Sequence, residues 1–176
     1  MTHQETNALE RSSAISRVQM HLELYDESHR KWANKLLHFF GIPILTVSSV
    51  GLLAKLALST GTEVAALKPN AGWVALALAA LWYLWLDWRI GSATIVFLVV
   101  CYAVGSELSA GVLGILFGIG AVAHAVGHYA IEGKPPAVLS RPVALLEAPL
   151  WLVAICAVLI DRSHPKPKES QTAART

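Results

Sequence analysis

Five apolar stretches, 40–59, 71–88, 90–108, 110–131 and 143–160, follow one another with only short polar turns between them. About 20 apolar residues cross a hydrocarbon core as a helix, and the absence of water there forces the backbone to satisfy itself internally. A chain patterned this way is expected to be all-α, a polytopic membrane helical bundle of four to five apolar segments. Each stretch lies near the length threshold, so some are expected to tilt or to cross only in part. No internal repeat and no strand-like alternation competes with this reading.

The flanks differ in character. Residues 17–39 carry Val18, Leu22, Leu24, Trp32, Leu36 and Phe39 among charges and read as an N-terminal amphipathic helix lying in the interface. Residues 1–16 and 162–176 read as polar tails, the second disordered, leaving one membrane-embedded domain over 17–161. No early apolar core marks a cleavable leader. Trp73, Trp82, Trp85, Trp88 and Trp151 fall near block ends, as an aromatic belt would. Gly114 and Gly118 form a close-approach pair, for internal packing or for a homodimer, the first being favoured. Asp87, Glu107 and Glu147 stand at block ends, where capping explains them as well as function does. Cys101 and Cys156 sit inside apolar segments and read as small core residues. A formal charge of +2 without a basic stripe excludes nucleic acid as a partner.

Arg11, Arg17, Arg30, Lys31 and Lys35 precede the first block, which places that end in the cytoplasm. Alternating crossings then bring the end of the fourth block to the same face. Five crossings would leave Arg162, Lys166, Lys168 and Arg175 outside, so the block holding Pro43 or the one holding Pro149 is expected to be a hairpin or a partial segment.

Four of the seven histidines gather on this face. Ionisable groups at membrane depth are functional by default. His124, His128 and Glu132 are four residues apart in turn and form one helical stripe. Two imidazoles and a carboxylate with open positions are the ligand set of many non-haem iron oxygenases. His29 and His38 start from the same face, but nine residues put them on opposite sides of a regular helix. Either the helix breaks between them, a bend or break near Asn34 being favoured, or the two serve different metals, or one of them only supports another ligand.

The N-terminal motif reads Y-x3-H-x4-N-x3-H-x2-G-x-P, from Tyr25 through His29, Asn34, His38 and Gly41 to Pro43. Gly41 and Pro43 are expected to turn the amphipathic segment into the first span. The later motif reads G-H-x3-E-x3-P-A, from Gly127 through His128, Glu132 and Pro136 to Ala137, followed by Ala148-Pro149-Leu150. Over roughly residues 21–155 the chain resembles the 2-hydroxy-fatty-acid dioxygenase family of membrane proteins. That resemblance implies an iron(II) oxygenase of fatty-acid α-oxidation, converting a long-chain 2-hydroxy fatty acid and dioxygen to a fatty acid one carbon shorter. His29, His38 and His128 match the family's histidines, and Asn34 and Glu132 its polar positions. His124 stands where relatives commonly carry glutamine and is counted with the metal ligands. Tyr25, Asn34 and Glu132 are read as the catalytic polar residues beside the metal. Arg30, Lys31, Lys35 and Lys134 are the candidates for binding the substrate carboxylate. The expected location is a bacterial inner membrane, or the endoplasmic reticulum of a eukaryote, among membrane lipids and with the site facing the cytoplasm. A bis-histidine haem protein and a non-enzymatic transporter or scaffold are the competing readings.

Overall fold

The computed structural model describes residues 17–57 and 70–163, the side chains of 160–163 excepted. Residues 17–28 form α1. Then come α2 (Trp32–Ala54), α3 (Ala71–Leu86), α4 (Trp88–Glu107) and α5 (Ala110–Ala125), which passes into a π-helical segment, Val126–Glu132. A short 3-10 turn, Ala137–Leu139, leads to α6 (Ala144–Ser163). The apolar runs make the helices, and single polar residues separate them. Asn70 accepts a hydrogen bond from Trp73 N, Asp87 from Arg89 N and Ile90 N, and Ser109 from Val112 N, capping α3, α4 and α5. Capping is therefore what Asp87 does.

Three helices are long and apolar enough to cross a membrane: α2, α4 and the run Ala110–Glu132. The apolar helices Ala71–Leu86 and Ala144–Leu159 are shorter. Large apolar side chains such as Leu78, Leu81, Val96, Ile115 and Val122 face outward, an exterior suited to lipid.

Helices α2 to α6 run alternately up and down. At one end Lys55 Nζ donates to Ser106 O and Asn70 Nδ2 to the Tyr102 hydroxyl. At the other end the Tyr83 hydroxyl donates to Leu146 O, and α1 closes the bundle through Val18, packed with Leu86 and Leu150. Helices α2 and α4 touch through glycine. A Cβ on Gly105 would lie 2.5 Å from Val47 O and 2.9 Å from Gly51 Cα, both of them backbone atoms. Gly105→Ala is therefore expected to destabilise the bundle by about 1–3 kcal/mol, read as a thermal midpoint lower by roughly 5 °C in detergent.

Several expectations need correction. The segment 17–39 is not one helix: it breaks at residues 29–31, and α2 starts at Trp32 and runs straight into the first apolar block. The break lies a few residues before Asn34. Gly41 and Pro43 make no turn, since α2 continues through both. Pro149 likewise lies inside α6, so neither proline-bearing block is a hairpin. Internal packing at the glycine pair is overturned, because Gly114 and Gly118 are exposed and a Cβ on either meets nothing within 4 Å. Trp151 is buried, not in a belt; it packs on Tyr25 and its Nε1 donates to Asp26 Oδ1 at 3.3 Å. Helix α6 extends two residues past the expected boundary at 161, to Ser163. The tails 1–16 and 164–176 lie outside the described residues.

Candidate metal centre

The break between α1 and α2 builds half of the site. His29 closes the end of α1 with its own atoms: its backbone N donates to Asp26 O at 3.0 Å and its Nδ1 to Tyr25 O at 2.7 Å. A side chain satisfying a last-turn carbonyl ends a helix as a backbone donor would extend it. Nearly two turns into α2, His38 repeats the device, with Nδ1 donating to Asn34 O at 2.9 Å. Both rings thereby carry the proton on Nδ1 and turn a bare Nε2 inward, as metal-binding histidines do. Burial lowers the pKa of His29 to about 4, which keeps it neutral, the form that binds a metal.

The far motif supplies the other half. The π-helical segment adds a residue to the turn, a local widening often found at functional sites. It carries His128 into the cluster, and Gly133 ends it in the left-handed conformation, at φ 71°. His29, His38 and His128 are all buried, and their ligand nitrogens lie within 4.8 Å of one another. His124 joins from the last turn of α5, with its Nε2 3.3 Å from His38 Nε2. Tyr25 stacks on His29 at 4.0 Å and 17°. Burial pushes its phenol well above the ordinary value, so it stays protonated.

The stripe read from the sequence does not survive the π turn. Glu132 leaves the histidines and instead accepts from Lys31 N at 2.8 Å and Asn34 Nδ2 at 3.2 Å. It thus caps the start of α2 from 101 residues away, where the helix dipole favours an anion. The cluster is one of imidazoles, not of two imidazoles and a carboxylate. Asn34 holds the His38 ring through its backbone carbonyl. Its buried Oδ1 has no partner and lies where Gly127 leaves room; a Cβ on Gly127 would collide with it and come within 3.2 Å of His38 Cε1.

The basic candidates lie outside. Lys31 Nζ donates to Ile131 O, and Lys35 Nζ pairs with Asp26 at 2.7 Å. Arg30 and Lys134 are exposed, with no ion pair among the described residues. A cavity of about 430 Å³ adjoins the imidazoles; Tyr25, His29, His124 and His128 line one end, and mostly apolar side chains, with Thr46, Ser49 and Tyr83 among them, the rest.

Capping is not what Glu147 does. Glu147 is 1% exposed, accepting from Arg141 at 2.7 Å and paired with His21 Nδ1 at 2.8 Å. It ties α1 and the loop before α6 to α6. Its signal was a carboxylate inside an apolar block, the same signal that singled out the histidines.

The donor set fits a metal. His29 Nε2 and His128 Nδ1 are buried without a hydrogen-bond partner, a costly condition unless something binds there. Three nitrogens spread evenly about one ion at about 2.1 Å stand roughly 3.0–3.6 Å apart. Inward movement of up to about 1 Å by each ring, from a present separation of at most 4.8 Å, closes the set. A haem fits less well, because the rings touch one another, with centroids 4.0 Å apart for His38 and His124 and 4.3 Å for His29 and His38, leaving no slot for a macrocycle.

Residues 15–159 match the family described as 2-hydroxy-palmitic acid dioxygenase Mpo1-like. No curated protein and no solved structure matches the chain.

Proposed function

Because the chain belongs to the 2-hydroxy-palmitic acid dioxygenase Mpo1-like family, we propose that it oxidises long-chain 2-hydroxy fatty acids with dioxygen to fatty acids one carbon shorter. The observation that carries this reading is the buried His29, His38 and His128 group, assembled from two distant motifs at the end of an apolar cavity.

The balance requires no further reductant. A 2-hydroxy acid and dioxygen give the shortened acid, carbon dioxide and water. The carbon–carbon bond next to the carboxyl breaks, and the substrate itself yields the four electrons that dioxygen accepts. Iron(II) bound to His29, His38 and His128, with His124 beside them, would supply the dioxygen activation that side chains lack. The protein's own groups do the rest. Tyr25 keeps its proton, and its buried hydroxyl, unpartnered among the described residues, would donate to the 2-hydroxycarboxylate. Asn34 and Glu132 hold the break that lets His29 and His38 meet. Arg30 and Lys134 attract the carboxylate to the surface beside the site.

Among the described residues, Arg17, Arg30, Lys31, Lys35, Arg89, Lys134 and Arg141 lie at the histidine end, and Lys55 and Arg162, near the close of α6, at the other. This asymmetry supports a cytoplasmic site in an integral membrane protein. The exposed Gly114–Gly118 face offers a contact for a second copy.

Purified in detergent, the protein is expected to hold stoichiometric iron and to consume dioxygen in proportion to the shortened acid formed from 2-hydroxypalmitate. Chelation should abolish turnover and iron(II) restore it. Full activity with zinc alone, or a product of unchanged chain length, would refute the proposal.

A further inference from the structure

We infer that the cavity beside the imidazoles is the site of the substrate's acyl tail, and that Leu53 and Ala75 at its far end set the accepted chain length. The inference rests on the oxygenase reading for the identity of the head group, and on the cavity alone for the tail. Along α2 the lining residues Ile42, Thr46, Ser49, Val50 and Leu53 recur at helical spacing, one continuous stripe below His38. From His38 to Leu53 is about 22 Å along the axis at 1.5 Å per residue. One leaflet of a bilayer, filled by single acyl chains, is about 15 Å deep. The stripe is thus long enough for an extended long-chain tail.

The cavity exists because small residues stand where bulk would close it: Ala75 and Ala79 on α3, Ala121 and Ala125 on α5. Of the polar side chains along it, Ser49 offers one neutral hydroxyl, and two others are already occupied. Thr46 Oγ1 donates to Ile42 O at 2.7 Å and the Tyr83 hydroxyl to Leu146 O at 2.8 Å. No Lys, Arg, Asp or Glu lines it, so a carboxylate has no partner in its depth. A head group can rest only at the imidazole end, and this orients the tail. The far end is identified by its neighbours: Gly72, one turn before Ala75, packs against Ala54, the residue after Leu53.

The same space could be filled by the tail of a free hydroxy acid or of a phospholipid, and photolabelling of the purified protein separates them. A 2-hydroxypalmitate analogue with a diazirine at its terminal carbon should label peptides containing Leu53 or Ala75. One with the diazirine near the carboxyl should label those containing His29 or His128. Phosphatidylcholine with the same terminal diazirine should label the outer positions Val96 and Ile115. Terminal labelling by the hydroxy acid at those outer positions, or equal labelling of the cavity by the phospholipid, would overturn the inference. In Ala75→Phe, the ratio of turnover on 2-hydroxypalmitate to that on 2-hydroxyoctanoate should fall at least about tenfold; an unchanged ratio would also overturn it. Labels in the cavity without any oxygen uptake would refute the oxygenase reading and leave the tail site standing.

Discussion

His38→Ala is expected to lose bound iron and to lower turnover of 2-hydroxypalmitate by more than about 100-fold, beyond the 10- to 100-fold typical of removing a group that merely orients a ligand. His38 is central to the cluster. Its ring meets those of His29, His124 and His128 at centroid distances of 4.3, 4.0 and 5.0 Å. Its Nδ1 is already bonded to Asn34 O, so Nε2 is the atom left for a metal. His124 Nε2 lies 3.3 Å from it, but His124 is outside the buried group of three. Helix content should persist, because α2 is held by its contacts with α4 and α5 below the site. His124→Ala should cost less, since His124 is half-buried and lies outside the tight group of three. Metal analysis and circular dichroism on both variants test the ranking. Full iron in His38→Ala would remove the basis for the centre.

Gly127→Ala is expected to have the second largest effect. The added methyl would fall on Asn34 Oδ1 and press on His38. Asn34 cannot retreat freely, since its Nδ2 holds Glu132 and its carbonyl holds the His38 ring. Overpacking of this kind costs about 1–3 kcal/mol. Because the displaced groups position a ligand, metal affinity should fall about 10- to 100-fold. Gly118→Ala is the internal control: the new methyl meets nothing, and metal content should not change. Iron titration and thermal unfolding of the two variants check the contrast. The reverse order of effects would show that the approach of α2 to the π segment is not what holds the site.

Much of the site was legible because burial at membrane depth is costly. Histidines that survive there, from two motifs assigned to one face by charge alone, had strong reason to meet. Glu132 shows the limit. Spacing of four predicts a stripe only while the helix keeps its period, and the widened turn from Val126 to Glu132 rotates the carboxylate away. Nothing in VGHYAIE announces a π turn. The position of the break before α2 was hidden for a related reason: its cap is a carboxylate from 101 residues downstream, and local patterns cannot report a remote partner. Lys31 and Lys35 illustrate the same blindness, since charge marks a candidate but not whether Ile131 O or Asp26 has already taken it.

By itself the order of apolar runs and polar turns determined an all-helical bundle and brought the two histidine motifs to one end, because hydrophobic burial and backbone satisfaction act on short windows of chain. Which nitrogens converge, that Glu132 caps instead of ligating, that Trp151 goes inside and Gly118 outside, and that alanines leave a channel beside the imidazoles were decided only by the packing of α1, α2, α5 and α6. Such outcomes depend on contacts between residues about a hundred positions apart, and a period read along the chain carries no information about them.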